Sequence, residues 1–250
     1  MNLGIEGRAA LVMGASKGIG RAIAASLARE GARLAIASRA AERIEATAGE
    51  IEGDVTAFTA DSGDLERMRE LPAEVAEHIG PVEILILNTG GPPLGGALES
   101  SVDEWEDAYR TLVLAPRVLC EAALPAMRER GWGRILSVAS SSIREPIPHL
   151  TLSNAHRMAT LGFLKTLAGE VAGDGVTVNT VATGRFATDR LASNFGSWEE
   201  MERNAPEGVP AGRLGEPEEF GDLAAFLCSE RAGYLTGTVI PLDGGLLRSA

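Results

Sequence analysis

The chain has 250 residues, 45% of them apolar and 23% charged, with a formal net charge of −12. That length suits a single α/β domain, and the composition excludes collagenous, disordered and disulfide-stapled chains. The acidic balance argues against a nucleic-acid partner or an anionic membrane surface.

In chain order, short β-rich runs alternate with amphipathic stretches. A strand is predicted over Ala9–Met13, then a helix over Gly20–Glu30. Strand Arg33–Ser38 precedes helix Ala41–Glu50, and strand Val55–Ala60 precedes helix Asp64–Ile79. Strand Glu83–Asn88 leads to a long helical stretch, Val102–Arg130, whose Pro116 and Pro125 predict a bend or a split. Strand Arg134–Val138, helix Leu152–Ala172 and strand Thr177–Val181 follow. The segment Asn194–Gly215 has no clean period and reads as a long loop of the lid or binding type. Helix Pro217–Ser229 and strand Val239–Leu242 close the pattern. Strand–helix alternation predicts βαβ units. The expected fold is one Rossmann-type domain over 1–250, a doubly wound parallel sheet of about seven strands with helices on both faces.

The first ten residues contain Glu6 and no apolar run, so no secretory leader is expected. No apolar stretch reaches the ~20 residues that span a bilayer. Cys120 and Cys228 lie in apolar helical stretches and read as buried, inert thiols. A cytoplasmic protein with no metal site and no membrane partner is expected. Lys17 and Lys165 are the only lysines, and glutamine is absent. Few thermolabile amides and many Glu/Arg pairs are a thermophile tendency.

The first strand runs into Gly14-Ala15-Ser16-Lys17-Gly18-Ile19-Gly20, followed by a helix. Glycines allow a tight turn and a close approach to phosphate, and a helix N-terminus offers free N–H groups and partial positive charge. The second strand ends in Ser38-Arg39, without the acidic residue that binds a ribose 2′-hydroxyl in NAD sites. Lys17 and Arg39 therefore favour a 2′-phosphate, and NADP(H) over NAD(H).

On these motifs the whole chain resembles the short-chain dehydrogenase/reductase family, especially its 3-oxoacyl-carrier-protein reductase branch. Gly14, Gly18 and Gly20 fit the family's Gly-x-x-x-Gly-x-Gly spacing. Asp61 matches its adenine contact, and Asn88-Thr89-Gly90-Gly91 its loop after the fourth strand. Ser140 matches the catalytic serine, and Val178-Asn179, Gly184 and Thr188 match the segment that closes on nicotinamide. The resemblance implies hydride transfer between NADP(H) and a small carbonyl or alcohol substrate. It also implies a homotetramer or homodimer, built through the Val102–Arg130 and Leu152–Ala172 helices.

The family's Asn–Ser–Tyr–Lys tetrad is matched cleanly only at Ser140. Alignment on Gly162-Phe163 and Lys165-Thr166-Leu167-Ala168 puts Ser153 at the Tyr position and Arg157 at the Lys position, and counting from Trp105 puts Leu112 at the Asn position. Ser153 and Arg157, four apart, share a helix face. Arg157 can hydrogen-bond ribose hydroxyls but shuttles protons poorly. His156 is the nearest alternative proton donor, or else a packed side chain. His149 and Glu145 come next, and neither Tyr109 nor Tyr234 can substitute. Pro92 and Pro93 either shape the pocket floor or stiffen a turn. Phe186, Phe195, Trp198 and Met201 either line an apolar pocket or dock the lid.

Two functions follow: an oxidoreductase with an atypical proton donor, or a non-catalytic NADP(H)-binding sensor or partner subunit. Arg157 also suits the hydride-free halohydrin dehalogenases, but these keep Tyr and lose the glycine cradle, the reverse of this chain. The amide-poor composition predicts a heat-stable protein, with a melting midpoint by calorimetry above the ~45–65 °C of mesophile domains.

Overall fold

Residues 1–249 are described in a computed structural model. Seven strands form one sheet in the order β3-β2-β1-β4-β5-β6-β7. They are β1 Ala9–Met13, β2 Arg33–Ser38, β3 Val55–Thr59, β4 Ile84–Leu87, β5 Gly133–Val138, β6 Val176–Thr183 and β7 Val239–Leu242. Every pairing is parallel. The strand order reverses between β1 and β4, and open α/β sheets bind ligands beyond the carboxyl ends of strands at such a point.

The sheet is parallel because its strands are apolar on both faces. β1, β4 and β5 are buried at every position, which requires a helical layer on each side. Side chains alternate across the pleat, so each strand feeds two cores. Leu11, Leu85, Leu87 and Ile135 face one core with Met68, Leu71 and Leu119. Val12, Ile36, Ile86 and Leu136 face the other with Ile23, Leu27 and Phe220.

The helices are α1 Gly18–Arg29, α2 Ala41–Glu50, α3 Leu65–Ile79, α4 Val102–Tyr109, α5 Ala115–Arg130, α6 Thr151–Val171, α7 Asp189–Phe195, α8 Trp198–Asn204 and α9 Pro217–Leu227. Asp64 is the N-cap of α3, its carboxylate accepting from the Arg67 N–H at 3.0 Å. Ser101 and Glu104 form a capping box that starts α4.

The expected Val102–Arg130 helix is interrupted by one π-helical turn, Arg110–Leu114. Pro116 has no N–H to give the Leu112 carbonyl four residues back. That carbonyl accepts instead from Thr160 Oγ1 of α6 at 2.5 Å. Pro125 lies inside α5 without ending it.

The expected loop 194–215 is partly helical, containing the end of α7 and all of α8. Each of these two helices has seven residues, too short for a helical period to show in the sequence. Thr188 and Ser197 cap them by accepting from Leu191 and Glu200 N–H. Ala192, Met201, Ala205 and Leu214 bury together as a small separate core, with Phe195 packed on it. Phe186 stacks edge-on against Phe220 at 5.6 Å. These aromatic side chains dock the segment, and Trp198 stays 45% exposed.

At the amino edge of the sheet the buried Glu83 carboxylate accepts from Arg8 Nη1 at 2.7 Å and from the Ala9 N–H at 3.1 Å. Trp132 is sandwiched between the Arg8 and Arg134 guanidiniums at 4.0 and 4.3 Å. Among the described residues no helix is long and apolar enough to cross a membrane.

Cys120 and Cys228 are both free and buried. Burial pushes each thiol up to about 12, which leaves the unreactive neutral form at neutral pH. In the folded protein at pH 8 neither should react with a thiol-specific chromogenic reagent within minutes. Both should react at once in denaturant.

Candidate active site

The turn from β1 into α1 is built on backbone that L side chains rarely adopt. Gly14 and Gly18 have φ of 61° and 55°. Gly20 is needed for a different reason. A Cβ there would lie 2.2 Å from the Gly14 carbonyl oxygen and 2.6 Å from Asn88 Nδ2. Asn88 Nδ2 donates to that same carbonyl at 3.2 Å, tying the end of β4 to the turn. Thr47 Oγ1 of α2 donates to the Ser16 carbonyl at 3.2 Å.

Helix α1 begins with no side-chain cap and no acidic residue in its first turn. Its terminal N–H groups and positive dipole end are left for a ligand, and a phosphate fits that chemistry. Ser16 lies in the turn just before α1, and Gly18 and Ile19 are the first residues of the helix.

The two cations expected at a 2′-phosphate differ in their surroundings. Arg39 follows β2 exposed, with no ion pair among the described residues. Lys17 Nζ binds Asp189 of α7 at 2.8 Å, both side chains half-exposed. Lys17 is therefore also a strut between the turn and the lid. Asp61 lies exposed beyond β3, and its Oδ1 accepts from the Gly63 N–H at 2.9 Å.

At the carboxyl end of β5, Ser140 Oγ accepts from the Ser142 N–H at 3.1 Å. Arg157 Nη1 donates to the Val138 carbonyl at 2.9 Å, two residues before Ser140. Ser153 is buried one turn ahead of Arg157 on α6. Burial, and then the charge of Arg190, bring Arg157 down to about 10. It stays a cation at neutral pH.

His156 is turned into packing. Its Nδ1 donates to the Leu152 carbonyl at 2.7 Å. Its ring lies 5.0 Å from that of Trp105 and 6.3 Å from that of Tyr109. His149 has a φ of 60°, and its carbonyl accepts from the Gly95 N–H at 2.8 Å. It pins the loop before α6 to the loop after β4. Glu145 Oε1 accepts from the Arg248 and Ser249 N–H groups at 2.9 and 2.7 Å. Those bonds hold its carboxyl below the usual range. Leu112 is buried, and Thr160 occupies its carbonyl.

Beyond β6, Gly184 packs on Asp243, and its N–H donates to the Leu242 carbonyl at 3.0 Å. Thr188 caps α7. Asn179 is structural, donating to the Leu235 carbonyl at 2.7 Å. Open space flanks Gly90, beside Thr89. Arg190 reaches back from α7 and donates from Nη2 to the Pro92 carbonyl at 2.8 Å. No local signal in the sequence marks Arg190, because its partner is 98 residues away.

Gly20→Ala should destabilise the fold by about 1–3 kcal/mol through overpacking. Asn88→Ala should cost about 0.5–1.5 kcal/mol through the lost bond. Urea unfolding of each variant checks both values.

The family model described as Enoyl-(Acyl carrier protein) reductase matches residues 14–247. A 3-oxoacyl-[acyl-carrier-protein] reductase FabG of Haemophilus influenzae is 34% identical over 248 residues, covering 98% of this chain and all of that protein. The crystal structure of L-sorbose reductase from Gluconobacter frateurii, complexed with NADPH and L-sorbose, superposes with a TM-score of 0.95. It is 30% identical, and each chain is fully covered. The NADPH-bound structure of a short chain oxidoreductase from Pseudomonas aeruginosa PAO1, containing an atypical catalytic center, has a TM-score of 0.92 at 27% identity, with 99% of each chain covered. The glycine turn locked by Asn88, the seven-stranded sheet and these end-to-end matches place the chain in the short-chain dehydrogenase/reductase family, as an NAD(P)-dependent oxidoreductase by type.

Proposed function

We propose that the protein is an NADP(H)-dependent oxidoreductase that reduces a carbonyl or oxidises an alcohol, with a proton donor other than tyrosine. The observation that carries this reading is the corner at the end of β5. There Arg157 donates to the Val138 carbonyl, two residues before Ser140, whose Oγ accepts from the Ser142 N–H. The sorbose reductase and the Pseudomonas oxidoreductase both carry NADPH, which supports the same cofactor here.

NADP(H) supplies or accepts the hydride when bound. Ser140 already accepts a bond from the Ser142 N–H, so its own O–H is free to donate to the substrate oxygen. Arg157 uses one of its five N–H groups on Val138, and the rest suit ribose hydroxyls. Ser153 sits where a phenol is expected, but an aliphatic hydroxyl is a far weaker acid. It passes a proton from water, at a cost in rate of about 10²–10⁴-fold relative to a positioned acid. His156 has its Nδ1 bonded and its ring boxed by Trp105 and Tyr109. We assign it to packing and not to proton transfer.

A second reading rests on the same corner. With a buried serine and a guanidinium replacing phenol and amine, the protein binds NADP(H) as a sensor or partner subunit and turns nothing over.

Fluorescence titration with NADPH and NADH separates these readings when paired with a panel of ketones and oxoacyl thioesters. NADPH should bind more tightly than NADH. Loss of Arg39 should weaken NADPH by about 10-fold or more, the scale of a charged hydrogen bond. Ser140→Ala should cut turnover at least ~100-fold with NADPH affinity kept. Binding without any turnover selects the sensor. No binding of either nucleotide sinks both.

A further inference from the structure

The carboxyl edge of β4 and β5 carries two guanidiniums and no carboxylate to meet them. Arg190 lies against Gly91. A Cβ at that glycine would sit 2.7 Å from Nη2, 3.0 Å from Cζ and 3.1 Å from Nε. The guanidinium thus rests against the chain at Gly91. Arg190 donates one bond, to the Pro92 carbonyl, and Arg157 donates one, to the Val138 carbonyl. β4 and β5 are paired neighbours, so the two carbonyls follow adjacent strands at the same edge. The two charges repel, and Arg190 contributes to the lowered pKa of Arg157.

Among the described residues neither arginine has a carboxylate within ion-pair distance, although the chain carries 35 Asp and Glu against 23 Lys and Arg. The acids in the segments that frame this corner are already engaged. Asp189, next to Arg190, holds Lys17 at 2.8 Å. Glu145, on the loop after β5, holds the Arg248 and Ser249 N–H groups. Arg190, exposed and bonded only to the Pro92 carbonyl, keeps most of its N–H donors free of protein partners and forms half of an ion pair. The missing half is an anion, and a guanidinium fork matches a carboxylate with two parallel bonds.

We propose that the substrate carries a carboxylate, held by Arg190 with Arg157 behind it, so that the protein acts on an oxo acid or hydroxy acid and discriminates against the neutral analogue. The turnover part of this proposal rests on the oxidoreductase reading above. The binding part does not.

The test uses matched pairs of oxo acids and their primary amides, from three to eight carbons, titrated by calorimetry into the protein saturated with NADPH. At least one acid should bind ~10-fold or more tightly than its amide. Raising sodium chloride from about 0.05 to 0.5 M should weaken the acid and leave the amide unchanged. Arg190→Gln should remove the preference, and Arg190→Lys should restore part of it. NADPH affinity should change by less than ~2-fold in either variant, which also reports a folded protein.

Equal binding of every acid and its amide overturns the proposal, as does failure of every acid to bind. So does a preference that survives Arg190→Gln. Should Arg190→Gln instead weaken NADPH ~5-fold or more with the acid-to-amide ratio near one, Arg190 serves the dinucleotide and the proposal falls. Should the protein bind no NADPH, the function reading fails first. The same titrations on the protein alone then decide the anion site by themselves.

Discussion

A parallel sheet has no face to leave to water, and this constraint organises the molecule. β1, β4 and β5 bury side chains on both sides, so helices must cover both faces. Each crossover returns the chain to the same end before the next strand begins. All seven carboxyl ends therefore lie along one edge, and all the turns leaving them are available to a ligand. The glycine turn, Asp61, Asn88, Ser140 and Gly184 follow five different strands and share one edge because of this geometry.

The two edges of the sheet treat charge in opposite ways. At the amino edge every charge near the core has a partner. Glu83 takes Arg8 and the Ala9 N–H, and Trp132 lies between two guanidiniums. Arg134 adds bonds to the Ser229 and Gly133 carbonyls, while the Trp132 indole N–H has no hydrogen-bond partner among the described residues. At the carboxyl edge the donors exceed the acceptors. The start of α1 has no side-chain cap, and among the described residues Arg39, Arg157 and Arg190 have no ion pair. A protein with excess negative charge overall thus carries unpaired positive charge at the carboxyl edge of its sheet.

The strand order along the chain and the doubly wound sheet were legible because each depends on local pattern. Apolar runs bounded by turn residues located every strand to within two residues at either end. The glycine turn was legible because its spacing follows from backbone geometry. The lid helices were missed because two turns of helix are too short for a period to show. The split near Pro116 was legible, but its form as a π turn was not. The Thr160 hydroxyl that takes up the Leu112 carbonyl lies 48 residues away.

The candidate site divides along the same line. Spacing by itself determined that Ser153 and Arg157, four apart, share a face of one helix, and both lie on α6. It could not decide which way His156 points. Spacing allowed it either to line the site or to pack, and the rings of Trp105 and Tyr109 from a separate helix hold it in packing. Nor could spacing show that Lys17 braces Asp189, that Glu145 grips the Arg248 and Ser249 N–H groups, or that Arg190 joins Arg157. A side chain's partners are set by distance in space, and only the folded sheet brings these strand ends and the lid to one edge.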